Sequence, residues 1–211
     1  MLVRPDERVP IARLLTFLEY GERLAHDCAK AQAALATEQG MQRFLTSQAR
    51  QESAHAWVFQ GAIAWLAPKH LGDSPFLPAL EQYRALLDDA LQRGDFAETL
   101  MAEQIILEGL GEAILARIEE GLAKRHAPFG HLRRILLCQE EAHHDFGRRM
   151  LDRAFAAGTT SPDRLRPRAQ EYLALTDRMV SMLGDLFQSI DEDPQLYMAR
   201  AKSYLPAWVI A

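Results

Sequence analysis

Cysteine is nearly absent from this 211-residue chain: Cys28 and Cys138 stand far apart and form no CxxC spacing. That excludes a disulfide framework and leaves both thiols to be read as small helix residues in a reducing compartment. Long apolar runs are also missing, and no stretch approaches the roughly 20 residues needed to span a bilayer. The opening MLVRPDERVPIARLL carries acids and two prolines where a signal peptide has an unbroken apolar segment, so a cytoplasmic location is expected. Period-two alternation is lacking, which argues against a sheet. Basic charge is not in excess either: 24 Lys and Arg are scattered among 29 Asp and Glu, for a net charge of -5. Nothing there makes a nucleic-acid footprint.

What is present is an ordinary globular balance, 48% hydrophobic and 25% charged residues, in a length that suits one domain over residues 1–211. The whole chain reads as helices punctuated by Pro, Gly and Asp. The first helix starts near Pro10, in its first turn, and ends near Ala36. The second spans Gln39 to Leu66, stopped by Pro68. The segment PKHLGDSPFLP connects it to a shorter helix over Ala79 to Arg93. After Gly94, Asp95 with Glu98 forms a capping-box pattern that opens a long helix to about Arg125, closed by Pro128. The next helix covers Phe129 to Ala157. Ser161 and Pro162 open a fifth, ending near Asp191, which Pro167 would kink or restart. A short last helix lies in DPQLYMARAKSYLPAWVIA. Four long helices with one extended connection between the second and third give an all-α, ferritin-like four-helix bundle with a crossover helix and additional C-terminal helices.

The apolar faces of these helices are interrupted by acids and histidines. Met41, Leu45, Gln48, Glu52, His55, Phe59, Ala62 and Leu66 form one stripe, and Glu52 and His55, three apart, project from the same side. Leu132, Leu136, Glu140, His143, Gly147 and Met150 repeat the arrangement later in the chain. The alternative register, Glu141 with His144, lies on the more polar stripe of Arg134, Leu137 and Arg148, so that pair is placed on a solvated shoulder. In the first helix Glu22 sits among Ile11, Leu15, Leu18, Ala25 and Ala29, whereas Glu19 has a more ordinary surface setting. Between Gly94 and Pro128, Glu108 follows the apolar run IIL. Glu112, on the same face, is its rival.

Each of these features alone is more often a surface pair or an acid at the edge of a core. Together, one Glu, a Glu-x-x-His, a second Glu and a second Glu-x-x-His on four helices make the ligand pattern of two-metal carboxylate bundles. Four buried carboxylates would otherwise repel one another and carry a large desolvation cost. Two divalent cations offset their charge, and two imidazoles add neutral nitrogen donors. Mixed oxygen and nitrogen ligation with open positions suits iron or manganese better than structural zinc. Asp and Glu near the ligand helices are the candidates for partners that orient the imidazoles. Gly109 and Gly111 inside a helix mark either a tight helix crossing or space, or a local bulge, beside the metals.

The segments YGERLAH, RQESAHAWVFQG, IILEGLGEA and CQEEAHHDFG resemble the ligand helices of the ferritin-like di-iron carboxylate superfamily. Their nearest likeness is to its oxygen-activating oxidases and oxygenases, the aldehyde-deformylating oxygenases among them. In those families a Glu follows Gly on the first helix, as Glu22 does here. An apolar run ends in Glu, as at Glu108. The last motif reads Glu-x-x-His-x-x-Phe/Tyr-Gly, as do Glu140, His143, Phe146 and Gly147. The resemblance covers roughly residues 10 to 157 and leaves the helices of about 161 to 211 without a counterpart. It implies two iron ions, cycling between Fe2+ and Fe3+, held by Glu22, Glu52, His55, Glu108, Glu140 and His143. Manganese is the alternative metal. It further implies O2 as co-substrate, a small apolar organic substrate, an external electron donor, and a monomer or homodimer. Leu45, Phe59, Ile105 and Leu136 are candidate pocket walls. Two other readings stand beside this one: a ferritin-type storage or detoxification protein, and a metal-free helical interaction module.

Overall fold

In the computed structural model, which describes residues 3–67, 74–124, 126, 130–189 and 193–210, every regular element is helical. A 3-10 turn, Pro5–Glu7, leads into α1, Arg8–Leu35; α2 spans Gln39–Leu66 and α3 spans Leu77–Gln92. The next rod is built in three pieces: α4, Phe96–Leu100, a π-helical segment, Met101–Leu107, and α5, Glu108–Lys124. Then follow α6, Gly130–Ala156, α7, Pro162–Ser181, α8, Gly184–Ser189, α9, Pro194–Tyr204, and α10, Ala207–Ile210. The expected breaks at Pro68 and Pro128, the helix start at Phe129 and the helix end near Asp191 lie outside the described residues.

Three local expectations need correction. The fifth helix stops at Ser181, and α8 restarts at Gly184, a residue with little helical preference. Pro167 neither ends nor restarts α7, because Leu165, Ala169 and Tyr172 are buried around it and packing outweighs one missing backbone bond. Only half of the capping box forms. Asp95 accepts from the Glu98 N–H at 3.2 Å, but the Glu98 carboxylate turns inward to Arg93 at 3.0 Å, Arg168 at 3.2 Å and the Tyr172 hydroxyl at 3.3 Å. Glu98 thus ties α4 to α7 instead of closing its own helix end.

Helices α1 and α2 pack along each other, α5 lies against both α6 and α9, and α3 lies on α7. Leu66 of α2 and Ile118 of α5 line one cavity, while Gln48 and Glu103 are bonded at the opposite end. α2 and α5 therefore run the same way, which is the reason the chain needs the crossover helix α3. Leu24, Leu45, Met101, Ile105 and Ile114 fill the bundle core, and Tyr83 and Tyr172 fill the layer where α3 meets α7. Gly147 is fixed by a close approach: a Cβ there would stand 2.5 Å from the Gln104 Cβ. The glycine lets α6 touch the π segment. Among the described residues no helix is long and apolar enough to cross a membrane.

Candidate metal centre

The four long rods bring Glu22, Glu52, His55, Glu108, Glu140 and His143 together in the bundle interior, all of them buried. Their donor atoms fall into two groups, Glu22, Glu52, His55 and Glu140, and Glu52, Glu108, Glu140 and His143, with the atoms of each group within 4.8 Å of one another. Glu52 and Glu140 belong to both groups. The Glu52 Oε2 lies 3.1 Å from the His55 Nδ1, and its Oε1 lies 2.8 Å from the His143 Nδ1. The Glu140 Oε1 is 3.0 Å from the His55 Nδ1. Two acids common to both groups, with one further carboxylate and one histidine in each, is an arrangement that could hold a metal ion in either group.

The donor atoms fit such ions. The Glu52 Oε1, Glu140 Oε1 and His143 Nδ1 are buried and make no hydrogen bond despite their closeness. Buried polar atoms without a partner are uncommon and costly. Here they converge on shared space, as ligand atoms do. The electrostatics agree. Burial, and then the neighbouring Glu140, push the Glu22 carboxyl well above the usual range. Burial and Glu108 raise Glu140 to about 8. Burial and Glu140 also push Glu52 upward, but His143 and His55 outweigh them and leave it below its ordinary value. Burial alone would lower His143, yet the facing carboxylates of Glu108 and Glu52 hold it up at about 10. His55 is raised in the same way, burial being outweighed by Glu140, Glu22 and Glu52. Without an ion, protons on the imidazoles and acids balance the charge.

The competing residues lie elsewhere. Glu141 is exposed. His144 is not on the solvated shoulder expected for it; it is buried, with its Nδ1 3.3 Å from the Glu112 Oε2 and its ring edge-on to Tyr204 at 6.3 Å. Tyr204, at the end of α9, which packs on α5, reaches over His144, and sequence periodicity has no means of seeing that cover. Glu112 is engaged there and not in the cluster. Glu19 is also buried, contrary to expectation, because Arg23 and Gln60 close over it. The local bulge sits one turn before the Gly-Leu-Gly segment: the Glu108 N–H bonds the Glu103 carbonyl, five residues back, at the end of the π segment. Tyr83 takes up the Ala102 carbonyl at 2.5 Å within that wider turn. A Cβ at Gly109 would meet Leu205, His144 and Tyr204 at ordinary contact distance, whereas Gly111 and Gly21 border a cavity of about 30 Å³ against Glu22, Glu108 and Glu140. That holds about one or two water-sized molecules.

The partners of the imidazoles are glutamines, not the acids expected. The His55 Nε2 lies 2.9 Å from the Gln139 Oε1, and the His143 Nε2 lies 2.8 Å from the Gln51 Oε1. A signal for them stood in the sequence: Gln-Glu-x-x-His occurs twice, at Gln51 to His55 and at Gln139 to His143. A second set was missed as well. Gln48 donates to Glu108 at 2.9 Å and to Glu103 at 2.8 Å, and accepts from Gln104, which exchanges hydrogen bonds with Gln32. All five residues are buried. Burial, and then Glu108, raise the Glu103 carboxyl well above its ordinary value.

On the other side of the cluster lies a mainly apolar cavity of about 340 Å³, walled by Leu14, Leu15, Phe59, Ala62, Leu115 and Leu136 among others, with Glu7, Arg117, Glu119 and Arg133 also in its lining. Of the candidate walls, Phe59 and Leu136 line it, while Leu45 and Ile105 are fully buried core. A separate open groove of about 400 Å³ runs between α2 and α6 past Phe44, Gln51, Cys138, Gln139 and His143. Cys138 is exposed in that groove; Cys28 is the buried thiol.

No protein-family model matches the chain, and no curated protein matches it. Among solved structures it is similar to a Synechococcus protein described as protein 19 with aldehyde deformylating oxidase activity. The two share 21% identity and a TM-score of 0.80, over 97% of this chain and 89% of that one. At that identity the likeness speaks for the architecture, and the chain has the ferritin-like helical-bundle fold of that oxidase.

Proposed function

We propose that the protein is a di-iron carboxylate oxidase or oxygenase that uses O2 to oxidise a small, apolar organic molecule. Glu22, Glu52, His55, Glu108, Glu140 and His143 would be the ligands, with Glu52 and Glu140 shared between the metals. The observation that carries this reading is the pair of ligand groups overlapping at those two acids, lined with buried donor atoms that have no other partner. Bound iron would supply the redox chemistry with oxygen, drawing electrons from an external donor.

The chain's own residues do the rest. Six converging side chains arrive from rigid helices, so the centre needs little rearrangement to accept its ions. Leu18 lines the small space beside the acids and Leu115 lines the larger cavity, apolar surface on both sides of the cluster's end where water would be disfavoured. The cavity walls offer mainly hydrophobic contact, with Glu7, Arg117, Glu119 and Arg133 as the charged residues in its lining. Gly21 and Gly111 keep the space beside Glu22, Glu108 and Glu140 free of side chains, room enough for a diatomic molecule. The fold shared with a protein of aldehyde deformylating oxidase activity makes aldehydes the first compounds to try.

The test is anaerobic reconstitution of metal-free protein with Fe2+, a count of iron per chain, and then exposure to oxygen with aldehydes, amines and fatty acids in turn. Two irons per chain, and oxygen consumption that one compound class stimulates with formation of an oxidised product, are expected. Fewer than two irons would overturn the centre. Oxygen consumption yielding only ferric deposit in a large multi-subunit shell would replace the enzyme with a storage protein.

A further inference from the structure

The two Gln-Glu-x-x-His segments are related by more than spelling. Within each, Gln and His are four residues apart on one helical face, close enough to interact. Neither glutamine bonds its own histidine. Gln51 of α2 reaches His143 of α6, and Gln139 of α6 reaches His55 of α2. The two bonds form a crossed brace over a place where α2 and α6 are otherwise parted by the open groove.

The direction of each bond follows from what the other imidazole nitrogen faces. Each Nδ1 points at carboxylates: Glu22, Glu52 and Glu140 for His55, Glu52 and Glu108 for His143. If the glutamine NH2 donated to Nε2, a neutral ring would carry its proton on Nδ1, where no cation could then bind. With the amide oxygen accepting, Nε2 keeps the proton and Nδ1 keeps its lone pair. A glutamine oxygen is also neutral. A carboxylate in its place would pull the Nε2 proton outward and make the ring a more basic ligand.

We propose that Gln51 and Gln139 are crossed positioning residues of the metal centre, each fixing the tautomer and angle of the histidine on the opposite helix through a neutral acceptor. This rests on the two-metal reading of the preceding section. The acceptor's neutrality has a consequence for redox behaviour: the imidazoles stay weaker donors, so the reduced metal is favoured more than it would be beside carboxylates.

The experiment uses the full chain, 15N-labelled at histidine and loaded with Zn2+, which is diamagnetic and redox-inert. Wild type, Gln51→Glu, Gln139→Glu, Gln51→Met and Gln139→Met are compared by long-range 1H–15N spectra, by zinc titration and, with iron, by midpoint potential. Both wild-type rings are expected as Nε2–H tautomers with metal on Nδ1. Gln139→Met should disturb His55 and spare His143, Gln51→Met should do the reverse, and each should weaken metal binding by about 10–100-fold. The Glu variants, close in shape and so independent of any folding defect in the Met pair, should restore affinity and move the iron potential negative. Wild type that takes up no zinc overturns the metal reading and the brace with it. Wild type that takes up two zinc ions, with Met variants that bind equally well or disturb the histidine of their own helix, overturns the brace alone. An unchanged potential in both Glu variants overturns the role given to the neutral acceptor.

Discussion

The bundle interior differs on the two sides of the acid and histidine cluster. Toward Leu14, Leu115 and Leu136 it is apolar and holds a cavity of about 340 Å³. Toward Gln32, Gln48, Glu103 and Gln104 it is filled by side chains that bond one another and end on Glu108. A buried amide left unpaired costs about 1–3 kcal/mol, so such a set persists only when nearly every member is satisfied. That requirement makes it specific in geometry. Apolar walls carry no directional bonds and tolerate a guest or a small shift. One side positions a carboxylate; the other leaves room.

The largest effect should come from the residues between the two sides. Because Glu52 and Glu140 belong to both ligand groups, Glu52→Ala or Glu140→Ala should reduce metal content from two ions per chain toward none. Glu22→Ala or Glu108→Ala removes an acid from one group only and should leave about one ion, by the same count of ligands lost. Metal analysis after anaerobic reconstitution reads the difference. Equal losses in all four variants would mean that the shared role of Glu52 and Glu140 is wrong.

Next in size is a break within the polar side. Gln48→Leu strips Glu103 and Glu108 of their common donor and Gln104 of an acceptor. It should lower metal affinity by about 10–100-fold, the usual scale for an orienting partner. Gln48→Glu supplies no N–H and should not rescue it. Affinity unchanged in the Leu variant would reduce the buried amide set to packing.

How far the sequence led to these groups depends on what holds each one. Glu52 and His55 were legible because an apolar stripe surrounds them on a helix whose limits, Gln39 and Leu66, the pattern also gave. Gly147 entered as a position of a stripe and a motif; its reason, the contact with Gln104, exists only between helices. Glu103 and Gln104 were not legible at all. They fall in the π segment, where the wider turn shifts the faces away from the 3.6-residue period used to sort them. His144 failed for a related reason. Its polar stripe reads as solvent-facing until Tyr204 and Glu112 close over it, and those contacts are set by tertiary structure alone.

An effect of another kind follows from the protons held by the cluster itself. In the metal-free protein, Glu140 at about 8 and His143 at about 10 both hold protons at neutral pH. Ligands must lose protons to bind a cation. Raising the pH reduces the number to be displaced, so affinity should rise with pH between 6 and 8 by about tenfold per unit for each proton released. Calorimetry in buffers of different ionisation enthalpy counts those protons. Release of none would mean that cation binding leaves these side chains untouched.

The mildest change should come from the apolar side, and it tests whether the two sides are separable. Ala62 is a half-buried wall of the larger cavity, one helical turn beyond Phe59 and two beyond His55. Ala62→Phe would fill part of that space without meeting any residue of the cluster. Metal content and the pH dependence of metal binding should stay as in the wild type. The longest apolar ligands should bind about 10-fold more weakly, since about two buried methylene groups are worth that much. Shorter ones should bind as before. A chain-length series of apolar ligands, titrated against the zinc-loaded protein, would show that cut-off. If Ala62→Phe instead lowers metal content, the apolar side also bears on ligand placement, and the contrast between a positioning side and an accommodating side fails.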